Sequence, residues 1–134
     1  MVTPDLINQM LTQAWPEAGM RCVEVNDSGA VASMEPPRSS YRPGGYIDGP
    51  TQFGVADAAL WFAVHGAIGR VEPMALTSEL SVRFLRPGVG ERIFARAKID
   101  RAGRRCVVGT ITIWTEGNED RPCATAQGTY VLPG

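Results

Sequence analysis

The chain has 134 residues, 44% of them hydrophobic and 20% charged, with a net charge of −1 at pH 7. That length and composition fit one globular domain with a real core, expected over residues 1–134. The near-neutral balance offers no field for nucleic acid or an anionic membrane surface, so neither is expected as a partner.

Residues 1–13 lack the basic and apolar regions of a signal peptide. The three cysteines, Cys22, Cys106 and Cys123, are too widely spaced for a zinc pattern and too few for a disulfide framework. A cytoplasmic, reducing setting with buried free thiols is expected. Of the 13 basic residues only Lys98 is a lysine. Arginine grips phosphate through a planar fork, although a biased genome composition produces the same imbalance.

In chain order, Pro4 and Asp5 open a short helix whose apolar residues, Leu6, Ile7, Met10, Leu11 and Ala14, recur at helical spacing, and Trp15-Pro16 ends it. Met20–Val25 and Ala30–Met34 read as strands joined by the turn Asn26-Asp27-Ser28-Gly29. Residues 35–45 read as a Pro/Ser/Gly loop. A long apolar helix follows, with Pro50 at its first position and Gly66 and Gly69 marking its end. Its apolar stretch, Phe53 to Gly69, is broken by Asp57 and His65 and is short for a membrane span.

Four strands complete the chain: residues 76–85 alternating around Leu80, Val82 and Phe84, then 92–99, 106–114 and 123–132. Strands do not alternate with helices, which disfavours a doubly wound parallel sheet. A helix apolar on most sides needs something wrapped around it. The expected class is α+β, one antiparallel sheet wrapped around one long central helix.

Asp57 is the most informative residue. It lies in an apolar helix, where an unpaired carboxylate costs several kcal/mol. Its helical neighbours at three and four residues are Phe53, Gly54, Leu60 and Trp61, none of them basic. Gly49, at the helix start, leaves its backbone open to a substrate carbonyl at the positive end of the helix dipole. Gly49 and Asp57 stand about 12 Å apart along the axis. Serving one carbonyl therefore needs two such helices antiparallel across a twofold axis, which means a homodimer.

His65 is equally far from Asp57 on the other side and is read as a helix-end residue. Ser39 and Ser40 lack a nucleophile-elbow context, and no phosphate-binding glycine motif occurs. Arg42, the pair Arg83 and Arg86, and the group Arg101, Arg104 and Arg105 sit near turns, where they suit phosphates or plain solvent.

Residues 42–57, RPGGYIDGPTQFGVAD, resemble the loop-to-helix signature of hotdog-fold acyl-CoA thioesterases of the phenylacetic-acid-pathway type. Residues 77–87, TSELSVRFLRP, resemble that family's strand after the central helix, and residues 124–130, ATAQGTY, its closing strand. The resemblance implies a hotdog fold and dimers with joined sheets, often paired into tetramers. It implies hydrolysis of an acyl-CoA without metal or cofactor, coenzyme A being part of the substrate. Asp57 then matches the catalytic carboxylate, acting as nucleophile or general base. Gly49 matches the amide that polarises the thioester, and Thr77 a hydroxyl that assists water.

Phe53, Trp61 and Phe84 are expected around the acyl group, Asp48 and Pro50 among the substrate-binding residues, and Arg42, Arg86 and Arg104 at the nucleotide phosphates. Two departures stand out. Many members carry His-Gly-Gly where this chain has Asp48-Gly49-Pro50, and Asn or Gln where it has Arg42. They leave a second reading, a hotdog protein that binds acyl-CoA without cleaving it. Hydration of an enoyl thioester is disfavoured, because His65 is badly placed for an Asp–His pair.

Overall fold

An apolar helix needs other elements packed along it, and here every strand of one sheet meets the long helix, while Phe53, Asp57 and Trp61 on it stay short of full burial. The computed structural model describes residues 1–134. Helix α1 (Pro4–Ala14) leads to strands β1 (Met20–Val25) and β2 (Gly29–Met34). A 3-10 turn at Arg38–Ser40 and the short strands β3 (Tyr41–Arg42) and β4 (Tyr46–Ile47) precede helix α2 (Gly49–Ile68). Strands β5 (Leu76–Phe84), β6 (Ile93–Ala102), β7 (Cys106–Thr115) and β8 (Ala124–Val131) follow. The main sheet runs β1-β2-β6-β7-β8-β5, antiparallel throughout. α2 packs against all six of its strands.

Local chemistry fixes the helix ends. Thr3 caps α1, its hydroxyl accepting from Leu6 N–H at 3.2 Å. Asp48 caps α2, its Oδ1 accepting from Thr51 N–H at 2.8 Å. The helix therefore begins at Gly49, one residue before the expected Pro50. It ends at Gly69, whose φ of 76° supplies the left-handed turn. Gly66 does not end it. A Cβ there would lie 2.1 Å from the Asn26 carbonyl oxygen, so this glycine is where α2 presses on the β1–β2 turn. The segment expected as plain loop holds the 3-10 turn and β3, which pairs with β4 just beyond it.

The core joins both sides of this packing. Val55, Ala56, Ala59, Leu60, Phe62, Ala63 and Val64 of α2 are buried. They meet the inward residues of alternating strands, Ile93, Ala95 and Ala97 on β6 and Ala124, Ala126 and Tyr130 on β8. Many of these are small, which lets the helix axis approach the sheet. All three cysteines are free, with Cys22 and Cys123 buried.

The two sheet edges differ. On β1 the Asn8 side chain from α1 takes both free backbone groups of Cys22, accepting from its N–H at 2.8 Å and donating to its carbonyl at 3.0 Å. β5, at the other edge, has β8 on one side and no strand on the other.

Substituting Gly66→Ala forces the helix off the β1–β2 turn. Its urea midpoint should fall by the equivalent of about 1–3 kcal/mol, the usual cost of overpacking. An unchanged midpoint would contradict this packing.

Candidate active site

Asp57 is half-buried on α2, and two hydroxyl groups reach its carboxylate. Thr77 Oγ1 donates to Asp57 Oδ1 at 2.8 Å. Tyr130 Oη donates to the same oxygen at 2.7 Å and, more weakly, to the Asp57 backbone carbonyl at 3.2 Å. Thr77 and Tyr130 are cross-strand partners on β5 and β8. Tyr130 faces inward because β8 alternates, with Ala124, Ala126 and Gly128 on the same side. It is 4% exposed. Burial, with the Asp57 charge adding to it, pushes its phenol well above the usual range. It therefore stays protonated and acts as a donor.

Thr77 faces the helix only because β5 carries a bulge. The register shifts between Thr77 and Glu79, so that Ser78 has no partner on β8. Strict alternation from Leu80 and Val82 would turn Ser78 inward. The extra residue flips the parity and aims Thr77 at Asp57.

The carboxylate opens on a cavity of about 400 Å³. Eleven of its 15 lining residues are hydrophobic. α1 and the segment after it contribute Leu11 and Trp15, the start of β1 Met20, α2 Ala58 and Trp61, and the start of β5 Leu76. A groove of about 530 Å³ on the outer sheet face lies around Phe94 and Trp114, stacked at 5.6 Å, and does not include Asp57.

Gly49 occupies a different place. Its N–H lies in the first turn of α2, where no intrahelical acceptor exists. The Phe84 ring covers it so closely that a Cβ would sit 3.3 Å from Phe84 Cζ. Phe84 and Thr77 bound opposite ends of β5, about 20 Å apart. One chain therefore carries a carboxylate at one end of β5 and a free amide at the other.

The sequence profile of the thioesterase superfamily matches residues 44–121. The chain belongs to the thioesterase superfamily. Its fold is shared with solved structures. A candidate thioesterase from Silicibacter sp. TM1040 is 25% identical, with a TM-score of 0.87, over 100% of this chain and 94% of that one. The PaaI protein of the E. coli phenylacetic acid degradation operon is 20% identical, with a TM-score of 0.76, over 98% and 91%. A point mutant of the phenylacetic acid degradation protein PaaI from Thermus thermophilus is 22% identical, with a TM-score of 0.71, over 92% and 99%. No curated protein matches the chain significantly. The architecture is the hotdog fold, as the sequence led us to expect. No helix is long and apolar enough to cross a membrane.

Seven of the residues singled out in this thioesterase-superfamily chain fall into two groups. Asp57, Thr77 and Trp61 meet at the cavity. Gly49, Phe84, Asp48 and Pro50 gather at the start of α2. Phe53 is on α2, 41% exposed, and does not line the cavity. Arg42 is exposed on β3, whose hairpin borders the loop after β5 through the Ile47 N–H to Gly88 carbonyl bond of 2.9 Å. The exposed Arg86 donates to the Pro122 carbonyl, and this bond ties down the approach to β8. Arg104 is exposed in the β6–β7 turn, at the Thr77 end of the sheet. Asp48 commits its carboxylate to the helix cap.

Tyr130 is a site residue that the sequence reading misses. The available signal is a phenol closing an inward row of small residues, where its hydroxyl must find a partner.

His65 lies in the last turn of α2, as expected of a helix-end residue, and is fully buried there. Its Nδ1 accepts from Glu72 N–H at 3.0 Å, and its ring meets Trp61 edge-on at 5.3 Å. Burial lowers its pKa to about 4 against the raising effect of Glu72.

The fold thus accepts only the neutral ring. Above pH 6.5 this has no effect on stability. As pH falls from 6.5 toward 4, the unfolded chain takes up a proton that the folded chain refuses. Unfolding free energy should drop by about 2 kcal/mol between pH 7.5 and pH 5 from this residue. Denaturant titrations at the two pH values should show a smaller drop in His65→Leu than in the wild type. An equal drop would place the proton uptake elsewhere.

Proposed function

We propose that this chain hydrolyses acyl-CoA thioesters, with Asp57 as the catalytic carboxylate. The observation that carries this reading is a carboxylate held by two hydroxyl donors at the mouth of an apolar cavity, in a thioesterase-superfamily fold. The acyl group enters the cavity beside Trp61. The thioester carbonyl rests on the Gly49 amide of the partner subunit, where the α2 dipole stabilises the developing oxyanion. Asp57 attacks the carbonyl carbon or takes a proton from the water that does so. Coenzyme A leaves as its thiol. No metal or further cofactor is needed for these steps.

The free edge of β5 supports a dimer. That edge invites a second β5, and a twofold axis makes that pairing antiparallel. Antiparallel pairing sets the Thr77 end of one strand beside the Phe84 end of the other. It thereby brings Asp57 toward the Gly49 of the partner subunit. Apolar side chains stand exposed around this edge, with Phe53, Phe84 and Leu85 at 41%, 53% and 45%. They suit burial in an interface. The same pairing brings Arg104 of one subunit toward Arg42 and Arg86 of the partner subunit, a suitable cradle for nucleotide phosphates.

The second reading, binding without cleavage, draws on Asp48 and Arg42, which stand where many relatives have His and a neutral amide. Thiol release from a panel of aliphatic and aromatic acyl-CoAs separates the two. The wild type should turn over at least one class, and Asp57→Asn should lower kcat by about 10²–10⁴-fold. Stoichiometric binding with no thiol release would sink the hydrolase reading.

A further inference from the structure

Both hydroxyl groups at Asp57 arrive at one oxygen. Oδ1 accepts from Thr77 at 2.8 Å and from Tyr130 at 2.7 Å. A carboxylate oxygen has two lone pairs, so Oδ1 is filled. Oδ2 accepts from no group of the chain and is not among its buried unpaired atoms, which are Gln52 Oε1, Trp61 Nε1 and His65 Nε2. Oδ2 is therefore the oxygen left open beside the cavity. We propose that Tyr130 is a positioning residue that locks the Asp57 carboxylate and reserves Oδ2 as its reacting oxygen. The reaction assigned to Oδ2 rests on the thioesterase reading above, whereas the lock is a property of the fold.

The geometry supports a lock rather than a chance contact. The Tyr130 hydroxyl spans the side chain and the backbone carbonyl of the same residue, at 2.7 and 3.2 Å. It thus restrains the torsions that would exchange Oδ1 with Oδ2. Its own position is rigid, since β8 is paired on both sides, with β7 and with β5. Thr77 lies on β5, which within one subunit is paired on one side only.

The lock also defines what Thr77 can do. Its only proton goes to Oδ1, so toward a water it can accept but not donate. A water that gives one hydrogen to Thr77 Oγ1 and the other to Oδ2 keeps a lone pair free for the acyl carbon. In that step Oδ2 takes the proton, the C–O bond forms, the C–S bond breaks, and the proton passes on to the departing thiolate.

Tyr130→Phe removes the hydroxyl and keeps the ring. We expect kcat to fall about tenfold to a hundredfold, the worth of one hydrogen bond to a charged group. KM should change by less than about twofold. A merely structural role would lower the unfolding midpoint and leave the kcat of the folded enzyme unchanged. An unchanged kcat overturns the proposal.

A second measurement does not need activity. The Tyr130 hydroxyl proton should give a slowly exchanging, downfield NMR signal in the wild type that vanishes in Asp57→Ala. Its absence from the wild type overturns the lock even in an active enzyme. Its presence in a protein that cleaves no acyl-CoA upholds the lock and sinks the thioesterase reading.

Discussion

Helix α2 carries a carboxylate into packing that would otherwise expel it. Three residues before Asp57 and three after it, the chain is apolar or glycine. A charge in such surroundings must be paired or hydrogen-bonded. The helix offers no partner of its own, so donors have to come from the sheet. They come from 20 and 73 residues further along the chain, and only the wrapped topology brings them together. The β8–β5 pairing, the bulge at Ser78 and the inward phase of Tyr130 all converge on that one oxygen. A hotdog sheet without them would still bury α2, but would leave Asp57 bare.

The sequence was informative where chemistry is local. Caps, turns and the period of apolar residues located both long helical segments and all six long strands. An acidic residue amid apolar neighbours marked Asp57 without any structure. Legibility failed where the deciding contact lies between segments. Gly66 reads as a helix end because glycine often ends helices, yet the deciding fact is the Asn26 carbonyl pressed against it. His65 reads as a terminal residue because it falls in the last turn, yet the Glu72 segment folds back over it. Tyr130 belongs to a recognisable motif but has no role until β8 is set beside β5. The bulge is invisible, since no residue type announces which position of a strand will be skipped.

The unequal sheet edges connect these local facts to assembly. Edge strands expose backbone groups that recruit other strands. This chain uses an asparagine from α1 to occupy β1 at Cys22. It has no comparable device on β5, where nine residues run along the edge. Charges of the kind that discourage edge pairing are present in Glu79 and Arg83. They sit two residues to either side of Ser81, with opposite signs. An antiparallel twofold centred there would set each beside its opposite in the other strand. Charges that repel a parallel or slipped copy would thereby favour the register that brings Asp57 toward the partner's Gly49.

In the proposed dimer that arrangement would divide one reaction between two kinds of rigidity. The carboxylate is oriented from within its own subunit, by hydroxyl groups on β5 and β8. The amide donor would be oriented by the start of the other subunit's α2, where the Asp48 cap fixes the first turn. Asp48 would therefore serve the oxyanion site without touching substrate, by holding the helix end that presents Gly49. A histidine in its place would bring a different hydrogen-bonding group to the same spot and lose the charge that complements the helix dipole. On this view the aspartate at residue 48 firms the helix N-terminus, and in the proposed dimer charge stabilisation would fall to the backbone amide it presents.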